Sequence, residues 1–140
     1  MGLITLYEKW SKIDFLDLAG ETLLEMDEFI ADLNRKQMDE KGVRADGSKI
    51  TPEYKEITKL IKDSKGQTIS HVTLHDTGDF HSSIFADIKS GSLIMDATDS
   101  KTSKLLEDYG EVLGLTEESI TVLQNEFRPK YIANIEKALS

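Results

Sequence analysis

Cysteine is missing from the chain, which removes disulfides, thiolate metal sites and thiol nucleophiles at one stroke. A protein built this way suits a reducing compartment. Long apolar runs are missing too. No stretch approaches the length that crosses a bilayer, and the opening Met1-Gly2-Leu3-Ile4-Thr5-Leu6 lacks the charged and apolar regions of a secretory signal. Leu6 stands where a myristoylation motif needs Ser or Thr. The expectation is a soluble chain with no export signal and no membrane partner. Proline occurs only twice, at Pro52 and Pro129, and the nine glycines are scattered. No linker therefore divides the 140 residues, and residues 1–140 read as a single domain. Hydrophobic content of 39% with 31% charged residues is globular rather than disordered.

The charge is acidic and uneven. The net charge of −9 repels phosphate backbones and argues against tight, sequence-blind nucleic-acid binding. Between Lys41 and Lys65, seven basic residues face four acidic ones, so this window carries +3 and the remainder −12. A bipolar molecule can dock head to tail on its own copies or onto an oppositely charged partner. A solvated surface with scattered charge accounts for the same numbers.

Periodicity supplies the organisation. Leu3, Leu6, Tyr7, Trp10 and Ile13 form a first short amphipathic stretch. Asp14 is placed to cap a second helix, in which Leu16, Ala19, Leu23, Met26, Ile30 and Leu33 share one seam. Phe15, Leu24 and Phe29 widen that apolar face, and Gly42 is a natural stop. Helices thus fill residues 1–40. A polar loop turning at Asp46-Gly47 and a short helix starting near Pro52, with Lys55, Lys59 and Lys62 on one face, fill 41–66. Region 67–98 reads as sheet: a strand over Thr68–Leu74, then a hairpin whose arms meet at Ser90-Gly91. Residues 99–140 return to helix, one ending at Gly110 and the last capped by Thr116, with Leu115 stapled to Ile120 and a kink or break expected at Pro129. Its stripe is Ile120, Leu123, Phe127, Tyr131, Ile135 and Ala138. The predicted fold class is α+β, with a small antiparallel sheet of three to four strands packed against the N-terminal and C-terminal helices.

Catalytic patterns are weak. His71, His75 and His81 cluster with Asp76 and Asp79, but Val72 stands where the helical zinc-protease motif needs Glu. Surface histidines around a turn explain the cluster as well. Asp96, Thr98, Ser100 and Glu107 fall at calcium-loop positions, yet Lys101 occupies the position that needs glycine, so Asp99 or Ser100 reads instead as a helix cap. There is no phosphate-binding glycine loop and no Gly-x-Ser-x-Gly elbow. The expectation is no catalytic residue, no metal site and no cofactor.

The segment Val72-Thr73-Leu74-His75-Asp76-Thr77-Gly78-Asp79-Phe80-His81-Ser82-Ser83-Ile84 resembles the Leu-x-x-Thr-Gly-x-Leu/Phe-x-x-Ser-Ile stretch of small tailed-phage morphogenesis and tail-completion proteins. Gln37 to Tyr54, with its Gly-Val-x-Ala-Asp-Gly core, and Leu106 to Leu115, with Tyr109-Gly110 and Gly114-Leu115, are similar to the same group. The helix before residue 37 carries no signature. On its own chemistry, Asp76-Thr77-Gly78 is a structural turn in which Asp76 or Thr77 can cap one helical turn, and it reorients the chain.

The resemblance implies a structural virion protein of the neck, head–tail connector or tail end. It would be assembled in the bacterial host cytoplasm as a ring of copies of itself, contacting portal, neck or tail subunits. DNA would be only passing cargo. Arg44, Lys55, Lys59 and Lys62 are the candidate subunit interface. A second reading is a free acidic adaptor, or a DNA-mimic inhibitor that covers a basic partner. A third is a metal-dependent enzyme using the histidine cluster.

Overall fold

The computed structural model describes residues 2–140, apart from the side chain of Ile57. Helix α1 spans Leu3–Ser11, α2 Phe15–Glu25 and α3 Asp27–Lys36. A π-helical turn, Gln37–Lys41, extends α3. After the polar loop come α4 (Glu56–Ser64), the single turn α5 (Asp79–Ser82), strands β1 (Ile84–Lys89) and β2 (Ser92–Ala97), α6 (Thr102–Tyr109) and α7 (Glu117–Leu139).

Several local signals act where the residues place them. The Asp14 carboxylate accepts from the Asp17 amide to open α2, and the Thr116 hydroxyl accepts from Ser119 to open α7. Gly42 closes the π turn in the left-handed region at φ 62°. A Cβ there would lie 2.7 Å from the His71 ring, so both conformation and space demand glycine. The hairpin forms in register from Ile84 opposite Ala97 to Lys89 opposite Ser92. Ser90 and Gly91 both take positive φ, as the tight turn requires.

The fold is α+β, but among the described residues the sheet is a two-stranded antiparallel hairpin. The strand expected over Thr68–Leu74 does not form. Leu74 sits in the left-handed region at φ 57°, which curls the chain out of any ladder. The buried backbone there bonds side chains instead. The Tyr54 hydroxyl accepts from the Thr73 and Leu74 amides, and the Thr73 carbonyl receives the His81 ring.

The seam helix is likewise interrupted. Met26, itself buried, ends α2 and lets α3 restart at Asp27, whose carboxylate accepts from the Ala86 amide at 2.7 Å. That bond covers the open edge of β1. Leu16, assigned to the seam, is exposed. Pro52 lies outside α4, which begins four residues later. Helix α7 runs unbroken through Pro129, and of its expected stripe Leu123 is buried, whereas Ile120 and Ala138 are exposed.

Two apolar clusters form the core. One gathers Ala31, Met38, Ile50, Val72, Leu74, Phe80, Ile84 and Val112 beneath the loops. The other sets Met26 and Ile30 against Ala86 and Leu123. Between them, Asn34 and Gln37 clasp the loop before α7. Asn34 donates to the Val112 carbonyl and accepts from Gly114, and Gln37 donates to the Gly114 carbonyl and accepts from Thr116.

Candidate interaction surface and histidine cluster

The four basic residues read as an interface meet different fates. Every N–H of the Arg44 guanidinium is used within the chain, on the Tyr109, Lys49 and Thr51 carbonyls and the Ser48 and Thr51 hydroxyls. It pins the polar loop to the end of α6. Lys62 is 6% exposed; its ammonium donates to the His75 carbonyl at 2.7 Å and lies over the Tyr54 ring. Both groups are thus engaged within the chain. Helical periodicity put Lys62 on the same face as Lys55 and Lys59, but the loop after α4 folds back over it. Lys55 is exposed, and Lys59 is half-buried beside an exposed Glu56 at 3.9 Å.

The Thr-Gly segment builds the wall of a groove of about 370 Å³. Tyr54, Ile61, Leu74, Phe80, Leu105 and Tyr109 supply its apolar lining, and Lys65 and Lys101 add charge. Gly78, at φ 92°, opens α5, and the Thr77 hydroxyl accepts from the Asp79 amide at 3.3 Å. Asp76 does not cap α5. It bonds Lys65 at 2.9 Å, and that hydrogen bond and charge hold its carboxyl below the usual carboxylate range.

Apolar residues left on the outside are concentrated in α1. No residue of α1 is buried; Leu3 is 82% exposed, Ile4 76% and Tyr7 70%. Trp10 packs partly on Phe15, with ring centroids 4.8 Å apart. Ile120, Val122 and Ile132 are exposed on α7. The periodicity of α1 is that of a packed helix; it touches α7 and Phe15, yet Leu3, Ile4 and Tyr7 stay exposed.

The three histidines separate. His71 turns away, its ring bonding the Asp39 carbonyl at 2.6 Å and the Ser70 hydroxyl at 3.1 Å. His75 and His81 converge, with ring centroids 4.8 Å apart, on a carboxylate absent from the sequence reading, Asp39. One Asp39 oxygen lies 3.3 Å from His75 Nδ1, and the other lies 3.7 Å from His81 Nδ1. His75 and Asp39 are half-exposed, whereas the His81 side chain is 4% exposed. Burial holds the His81 imidazole below the usual histidine range, against the Thr73 carbonyl and the Asp39 charge, which favour the protonated form. Asp76 pairs with Lys65, and Asp79 heads α5 outside the cluster. No local signal could have linked Asp39 to His75, because the π turn brings them together across 36 positions.

No protein-family model matches the chain, and no curated protein or solved structure matches it significantly.

Proposed function

We propose that this chain is a structural subunit of a tailed bacteriophage's neck or tail end, assembling with its own copies into a ring and contacting neighbouring virion subunits. The observation that carries the proposal is α1, a nine-residue helix with an apolar face and no buried residue. Water-exposed Leu3, Ile4 and Tyr7 on one helix form the kind of patch that a neighbouring subunit covers. A heterologous contact repeated about an axis closes a ring, and it needs two different surfaces per subunit. Here α1 supplies one. The start of α4, where Lys55 and Lys59 alternate with Glu53 and Glu56, is a candidate for the other. The Thr-Gly segment, one of three on which the family resemblance rests, forms a groove wall, which suits a role as scaffold.

Light scattering on the purified full chain tests this. The expected result is a discrete oligomer that Leu3→Glu with Tyr7→Glu dissociates, with helix content retained. A monomer at every concentration contradicts the reading. If that monomer instead captures a basic protein through an acidic face, the adaptor alternative replaces it.

A further inference from the structure

We propose that Asp39, His75 and His81 form a binding site for one first-row divalent transition-metal cation, with zinc the best chemical match. The argument starts from His81. Its Nε2 lies 2.8 Å from the Thr73 carbonyl, which only accepts, so Nε2 carries the proton and Nδ1 presents a bare lone pair. That Nδ1 is buried and has no hydrogen-bond partner. It points toward an Asp39 oxygen 3.7 Å away, too far for a hydrogen bond. Two electron-rich atoms thus face each other across a gap with nothing positive between them. A cation resolves that mismatch.

The spacing suits a metal ion. Ligands held at about 2.0–2.1 Å around a tetrahedral ion lie roughly 3.3 Å from one another. His75 Nδ1 lies 3.3 Å from Asp39, and one ligand atom from each of the three residues falls within a 4.8 Å set. His75 and Asp39, the two members with distance left to close, are both half-exposed. The surroundings have the features of a metal site. The Thr73 carbonyl fixes the His81 tautomer from behind, as the outer partner of a metal-bound imidazole does. Asp39 sits on a π-helical turn, a distortion that often marks functional positions. Arg35, whose charge opposes a cation, is neutralised by Glu28 at 2.6 Å. The depression in front, bordered by Ser82 and Glu40, leaves the outer coordination positions open to water. Two imidazoles and one carboxylate favour zinc and its first-row neighbours over calcium or magnesium, which prefer all-oxygen shells.

Such an ion would tie three segments together: the end of α3, the loop carrying His75, and α5. It would thereby fix the Thr-Gly turn. The site does not depend on the assembly reading and is tested on the isolated chain. Full-length protein, stripped with chelator, is titrated with Zn²⁺ by calorimetry and with Co²⁺ by visible absorption. The expected result is one equivalent per chain, cobalt bands of a low-coordinate nitrogen–oxygen site, and a higher thermal midpoint with zinc. His75→Gln and Asp39→Asn, chosen because both side chains are half-exposed and their loss leaves the core intact, each weaken binding by about 10–100-fold or more. Asp76→Asn, outside the cluster, leaves binding unchanged. The proposal is overturned if no stoichiometric binding occurs, or if His75→Gln and Asp39→Asn bind as the unaltered chain does. The first outcome would mean that a proton or water meets His81 Nδ1.

Discussion

Replacing Lys62 by Met separates an interface lysine from a structural one. The ammonium makes a 2.7 Å bond to the His75 carbonyl and sits 4.8 Å from the Tyr54 ring centroid, with the residue 6% exposed. A hydrogen bond from a charged donor contributes about 1.5–3 kcal/mol, and a partly desolvated cation–π contact about 0.5–2 kcal/mol. Met keeps most of the apolar stem, so little packing is lost, but the His75 carbonyl is left without its donor. The expected cost is about 2–4 kcal/mol, read from urea unfolding with unchanged slope. For a chain of this size, that lowers the thermal midpoint by roughly 10 °C. Lys62→Glu costs more, because it sets a buried carboxylate against a carbonyl oxygen. Lys55→Glu and Lys59→Glu, both outside the core, stay within about 0.5 kcal/mol of the parent. The assay is denaturant unfolding of the four variants side by side. A Lys62→Met protein as stable as the parent would refute the reasoning and return Lys62 to the surface.

Asn34→Ala leaves the Val112 carbonyl and the Gly114 amide without their buried partner, and a loss of about 2–5 kcal/mol is expected by the same unfolding measurement. Gly42→Ala forces φ 62° on a residue whose Cβ meets the His71 ring at 2.7 Å. It should destabilise by more than about 1 kcal/mol and move the His71 ring signals in an NMR spectrum; a neutral substitution would mean that the turn is looser than described.

What could be read from the residues follows from the range of each interaction. Asp14, Gly42, Ser90-Gly91 and Thr116 act on backbone within a few positions of themselves, and each does in the fold what its chemistry indicates. The break at Met26 was not legible, because the three-four spacing runs straight through it. The Asp27 bond to β1 at that break comes from 59 positions away. Thr68–Leu74 has strand composition, yet Tyr54 and His81 satisfy its backbone from outside any sheet. The candidate surface divided in the same way. Helical periodicity grouped Lys55, Lys59 and Lys62, but only tertiary folding decides which lysine ends beneath a loop. Arg44, likewise, is spent on carbonyls up to 65 positions distant. The histidine cluster was visible as three residues near one another in sequence. The set that the fold brings together has Asp39 in place of His71, a substitution that no spacing rule reaches.

Electron imaging of the purified full chain tests the assembly account most directly. The account predicts closed rings in which α1 of each subunit is buried against the next copy, near the Lys55 end of α4. Dispersed single subunits, or rings in which Leu3, Ile4 and Tyr7 still face solvent, would contradict it.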